Sequence, residues 1–116
     1  MDANSPNPET SSTGLAPNLA ATLAYLLGPI TGIVFLVVEK DNKFVRFHAM
    51  QSTITFGGIF VLQVVLNLIP IIGWLIGGLI LFPLSVLLWA FLMFKAFSGE
   101  KFKLPTIGDM AERQIQ

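Results

Sequence analysis

The sequence predicts an all-α membrane protein with three transmembrane helices, and three observations predict it. The chain is 53% hydrophobic and 12% charged, with mean hydropathy +0.72, whereas an ordinary soluble domain carries roughly 25% charged residues. A chain of 116 residues folded in water buries only about two-thirds of its surface, too little to hide this much apolar side chain. Charge is also excluded from two long stretches. No Asp, Glu, Lys or Arg lies between Glu9 and Glu39, and none lies among the 48 residues from Phe47 to Phe94. One helical crossing takes roughly 20 residues, so the second gap holds two crossings and a tight turn and the first holds one.

Taken in order, residues 1–14 contain two prolines and no aromatic residue. Little there offsets the entropy of ordering, so an external disordered tail is expected. Residues 15–116 then form one transmembrane domain. Helix one is expected over 18–38, with Pro17 suited to its first turn and Pro29 kinking it mid-membrane. Helix two is expected over 44–69 and ends at "NLIPIIG", where Asn67, Pro70 and Gly73 are turn residues. Helix three follows over 72–97, with Trp74 and Trp89 as interface anchors and Pro83 as a second kink. In the tail 98–116, Leu104, Ile107, Met110, Ala111 and Ile115 recur at three- and four-residue steps. That spacing predicts a short amphipathic C-terminal segment.

All seven Lys and Arg residues fall either in the first loop (Lys40, Lys43, Arg46) or in the tail (Lys95, Lys101, Lys103, Arg113). Three crossings place both on one face, which the positive-inside rule assigns to the cytoplasm of a cell-membrane protein. The N-terminus is then outside and the C-terminus cytoplasmic. A two-helix arrangement is expected to split these residues across the bilayer.

Two patterns remain. His48, Gln51, Ser52 and Thr55 fall on one face of helix two, and Gln63 extends it. A polar stripe in a membrane faces protein or water; hydrogen bonding between helices and a surface for binding or conduction both fit it. Small residues recur every four positions: Gly28 and Gly32 in helix one, Ala49, Thr53 and Gly57 in helix two, Gly73 and Gly77 in helix three. Such spacing lets helices pack closely in lipid.

Several classes are excluded. Zero net charge offers no basic stripe to nucleic acid. With no cysteine there is neither disulfide nor thiolate chemistry. A lone histidine is a poor metal site and a poor general base. No phosphate-binding loop, carboxylate pair or nucleophile motif appears. A non-enzyme without cofactor is expected, whose partners are the lipid bilayer and a second copy or another membrane protein.

The stretches "LAYLLGPITGIVFLVVEKDNKFVRFHAMQS", "IPIIGWLIG" and "GEKFKLPTIGDMAE" resemble a widespread family of small prokaryotic membrane proteins of unknown function. That family is similar to the twenty-kilodalton membrane subunit of the chloroplast inner-envelope import machinery. The resemblance covers roughly residues 18–112, and Phe44–Ser52 is its most specific part. It implies an interaction or assembly module related to translocation, with no catalytic residues to carry over. The alternative is a small transporter or channel subunit using the polar face of helix two.

Overall fold

A computed structural model describes residues 11–115, and within them all regular structure is helical. The elements are α1 (Pro17–Leu26), α2 (Pro29–Val38), α3 (Lys43–Asn67), α4 (Ile72–Ile76), a π-turn (Gly77–Leu81), α5 (Phe82–Phe97) and α6 (Ile107–Ile115). Among the described residues, two helical units are long and apolar enough to cross a membrane. They are α3, with mean hydropathy 1.6, and the continuous unit Ile72–Phe97, with mean hydropathy 2.4. Helix three was expected over that second range, and α3 ends two residues before its expected boundary.

The first apolar stretch departs from expectation. It is two helices of ten residues each, about 15 Å apiece and half of a ~30 Å hydrocarbon core. Gly28 breaks them apart at φ 63°, ψ −125°, a conformation that a Cβ would strain. Pro29 then opens α2 rather than kinking a continuous helix. A broken backbone in apolar surroundings survives only where protein groups satisfy it, and here it is satisfied. Thr31 Oγ1 accepts from Leu27 N and donates to Ala24 O, both at 3.0 Å. Ser52 Oγ donates to Gly28 O at 2.8 Å, and Trp89 Nε1 donates to Tyr25 O at 2.9 Å. The indole of Trp89, expected as an interface anchor, caps the tip of this hairpin.

The hairpin doubles back. Asn18 Nδ2 donates to Phe97 O at 2.9 Å, so α1 starts beside the end of α5. Along α2, Gly28 meets Ser52 and Phe56, Gly32 meets Ala49 and Thr53, and Leu36 O accepts from Arg46 at 2.9 Å. Both short helices therefore pack on the same half of α3. Its end at Lys43, together with the 39–42 loop and the tail, is termed proximal; the 67–72 turn is distal.

Residues 11–14 are tied to that proximal end, against the expectation of a free tail. Ser12 N donates to both Glu39 carboxylate oxygens at 3.0 and 2.8 Å. The remainder of the expected tail lies outside the described residues. Asn42 caps α3 by accepting from Val45 N at 3.1 Å. At the distal end, Ile72 N donates to Pro70 O at 2.7 Å across Ile71, whose φ of 65° and ψ of −72° make a γ-turn. Past it, the helix widens into the π-turn ahead of Pro83, where a kink was expected, with Phe82 N donating to Gly77 O. A widened turn moves the preceding carbonyls away from the proline ring.

The core lies in the proximal half, where Ala21, Tyr25, Phe44, Phe56, Leu92 and Ala96 cluster. Alanines on α1 let the backbones approach closely.

Candidate functional site

The site is built where α1 and α3 meet the tail. Tyr25, His48 and Gln51 have no exposed surface. His48 Nε2 lies 2.8 Å from the Glu100 carbonyl, which can only accept, so Nε2 carries the proton and donates. Nδ1 is then an acceptor, and the Tyr25 hydroxyl donates to it at 2.6 Å. Gln51 Nε2 donates to the same hydroxyl at 2.9 Å. One tautomer of the neutral imidazole satisfies every partner, and the ring is held edge-on by Tyr25, Phe44 and Phe47.

Gln51 also reads the tail backbone. Its Nε2 donates to Phe102 O and its Oε1 accepts from Leu104 N, both at 2.9 Å. With Glu100 O on His48, the carbonyls or amides of residues 100, 102 and 104 all face α3, the period of an extended strand. A primary amide mimics a peptide group, so Gln51 serves as one rung of a ladder. This extended segment is bounded by positive φ at Gly99 (83°) and Thr106 (65°). Beyond Thr106, α6 packs on α3 and buries Gly108 and Ala111, with Gly108 set against Lys103 of the tail. Phe44–Ser52 and "GEKFKLPTIGDMAE" are thus physical partners.

The predicted polar face separates into two parts. His48, Gln51 and Ser52 bond inside the bundle, Ser52 to the hairpin tip. Thr55 Oγ1 and Gln63 Oε1 are buried without a partner among the described residues. Gln63 lies about 22 Å further along the helix than His48 at 1.5 Å per residue.

Small residues lie at close approaches inside one chain. A Cβ on Gly32 would fall 2.6 Å from Thr53 Oγ1 and 2.8 Å from Ala49 O, and one on Gly28 would meet Phe56 at 3.1 Å. Gly57 faces Pro29, Gly73 sits against Leu66 and Ile69 in the turn, and Gly77 sits against Gln63.

The basic residues hold the proximal end together. Arg46 Nη1 donates to Leu36 O and to Glu39 O at 2.7 Å, capping the last carbonyls of α2. Lys95 pairs with Glu100 at 3.3 Å and lies over Phe91 and Phe102. Lys101 pairs with Glu112 and lies 5.1 Å from the Phe47 ring centre. Lys103 meets Glu112 at 2.6 Å and Asp109 at 3.0 Å. Hydrogen bonds from Lys101 and Lys103 hold the Glu112 carboxyl down at about 2. Burial pushes the Glu39 carboxyl up, but the N–H groups of Ser12, Asn42 and Asp41 outweigh it and leave it below the ordinary range. Lys40 and Lys43 are exposed and make no ion pair among the described residues.

Tyr25, Glu39 and Trp89 were not among the expected site residues. Tyr25 is the only tyrosine in the chain, and a phenol inside a membrane span needs a partner; that was the available signal. Among the described residues, no three His, Cys, Asp or Glu side chains converge in a way that could hold a metal.

The chain is similar to archaeal proteins. A UPF0132 membrane protein of Methanocaldococcus jannaschii is 51% identical over 91% of this chain and 94% of its own length. One from Archaeoglobus fulgidus is 55% identical over 84% of this chain and 94% of its own. No solved structure matches. Residues 12–111, spanning the hairpin, both long helical units and the tail clamp, match the pattern of the magnetosome magnetite crystal formation protein family, and the chain belongs to that family of small prokaryotic membrane proteins.

Proposed function

We propose that this protein is a non-enzymatic membrane module for interaction and assembly. In this reading, α3 and the 72–97 unit span the bilayer, and α1 and α2 enter it as a re-entrant hairpin. The observation that carries the reading is the closure of the proximal polar groups on one another: His48, Gln51, Ser52 and Tyr25 hold the tail and the hairpin. Outside this closed core the spans present apolar residues such as Phe60, Leu79, Leu87 and Phe94, a surface for lipid and for other membrane helices. A small transporter or channel using the polar face would need these side chains free, and the likeness to a translocation component draws no support from them. The family name ties its members to magnetite crystal formation; only a membrane-assembly role is carried over here.

This reading revises the topology. Two spans and a re-entrant hairpin also keep all seven basic residues on one face, and the positive-inside rule then makes the proximal face cytoplasmic. Residues 11–14 join it there, because Ser12 bonds to Glu39.

The chain has no cysteine, so single cysteines report cleanly. Thr13→Cys, Lys40→Cys and Ser98→Cys should react with an impermeant maleimide from the cytoplasmic side, and Ile69→Cys from the other. Reaction of Thr13→Cys from the side of Ile69→Cys would restore the three-crossing arrangement. A photoreactive residue at Leu87 or Phe94 in native membranes should give a discrete protein crosslink. Crosslinks to lipid alone would overturn the assembly role.

A further inference from the structure

The hairpin reaches only halfway along the long helices and leaves a cavity of about 510 Å³ beyond its tip. Residues 27–30 close one end. Phe60 and Gln63 of α3 form one wall, and Phe82, Ser85 and Trp89 of α5 the other. The volume lies in the range of small-molecule sites. Phe60 and Phe82 are exposed, so the cavity opens sideways to lipid.

Its polar groups are already bonded, with one exception. Trp89 donates to the hairpin tip and Ser85 Oγ donates to Leu81 O at 2.6 Å. The Gln63 amide makes no hydrogen bond among the described residues, and its Oε1 is buried. An unpaired amide in hydrocarbon is costly. The structure makes room for this one. A Cβ on Gly77 would lie 2.5 Å from Gln63 Oε1, and Gly77 opens the π-turn, a rare distortion often found at functional sites.

Depth and charge say what fits. Gln63 is one turn from the distal end of α3, about 6 Å at 1.5 Å per residue. In the two-span placement the hairpin tip lies near mid-membrane. A molecule filling the cavity therefore carries its polar group near the distal interface and its chain inward, as a leaflet lipid does. No Asp, Glu, Lys or Arg lies between Phe47 and Phe94, so a charged head would have no counter-ion. Oε1 is sealed against Gly77, so the amide meets the cavity through its N–H donors, and a hydroxyl oxygen accepts from one of them.

We propose that the cavity between the hairpin tip, α3 and α5 binds a neutral, hydroxyl-bearing long-chain lipid from the distal leaflet, with its hydroxyl on the Gln63 amide. The site rests on the two-span placement proposed above. Its occupancy is read from labelled peptides, and that placement from the side on which Thr13→Cys reacts, so the two fail separately.

The test uses the full chain in phosphatidylcholine vesicles with a photoreactive long-chain alcohol and the matching alkane. The alcohol should label peptides around 56–63 and 82–89 about five-fold more than the alkane, the Boltzmann factor of one membrane hydrogen bond of roughly 1 kcal/mol. Gln63→Leu should abolish that preference while alkane labelling persists, which shows the cavity intact. Val86→Phe, which fills the cavity, should reduce labelling by both. Equal labelling of the native chain by alcohol and alkane, or an unchanged preference in Gln63→Leu, would overturn the proposal. So would a dimer of the native chain that Gln63→Leu dissolves, since a second copy would then be the partner of the amide.

Discussion

Removing one oxygen from Tyr25 tests the proximal clamp. Tyr25→Phe keeps the ring that packs on Phe56 and His48 and deletes the hydroxyl that donates to His48 Nδ1 and accepts from Gln51 Nε2. Hydrogen bonds within membrane proteins contribute roughly 0.6 kcal/mol on average and up to about 1.7. Two are lost, and a buried imidazole nitrogen is left without a partner, which adds to the penalty. A destabilisation of about 2 kcal/mol follows, or roughly 30-fold in an opening equilibrium. The loss should appear where the clamp acts. Leu104 N–H is protected by Gln51 Oε1, so its amide exchange in vesicles should accelerate by about 10- to 30-fold. Leu92, buried in the core, should exchange as before. His48→Gln can still donate to the Glu100 carbonyl and accept from Tyr25, so its effect should be mild; His48→Leu can do neither and should destabilise by about 2 kcal/mol, as Tyr25→Phe does. Unchanged protection of Leu104 in Tyr25→Phe would refute the shared network.

Glu39→Gln turns an N–H toward the backbone donors of Ser12, Asp41 and Asn42 and should release the N-terminal segment, at roughly 1.5–3 kcal/mol for bonds to a charged group; a spin label at Thr13→Cys should become mobile. Glu112 is held at about 2 against an ordinary value near 4.3, so its contribution to docking α6 is complete above about 4.3 and lost as pH falls toward 2. Gly108 amide exchange should rise over that window, and Glu112→Gln should flatten the profile. Gly32→Val drives a side chain into the Ala49 carbonyl and Thr53 and should destabilise by about 1–3 kcal/mol in detergent unfolding, whereas Gly58→Ala, facing open space, should be neutral.

The long spans were legible because hydropathy is a property of composition: a charge-free run from Phe47 to Phe94 broken at Pro70 has few other solutions in a bilayer. The hairpin was misread at Gly28-Pro29. A glycine past a helix end followed by proline is a stop signal, but an apolar run of about 20 residues suggests a crossing, and length prevailed. Pattern alone cannot tell a 31 Å helix from two 15 Å helices folded together, since the difference lies in what Thr31, Ser52 and Trp89 do for the backbone at the break. The tail clamp was hidden for a similar reason. His48 and Gln51 stood out on α3, but their partners are backbone atoms some fifty residues away, and backbone atoms carry no sequence signal.

Polar groups are distributed unequally along the bundle, and that asymmetry decides how substitutions should be read. In the proximal half, the buried imidazole, phenol and Gln51 amide are all bonded within the chain. Changing any one orphans another, so the first readout there is stability and tail order. Gln63 in the distal half has no such partner, and Gln63→Leu orphans nothing. It should leave the unfolding transition unchanged or raise it, because an unpaired amide in hydrocarbon is exchanged for an apolar side chain of similar size. A function that fails in Gln63→Leu while stability holds would therefore locate recognition in the distal cavity, whereas a function that follows stability through the Tyr25 and His48 variants would locate it in the clamped proximal face. The two halves of the bundle can be tested separately because the hairpin tip, sealed by Ser52 and Trp89, stands between them.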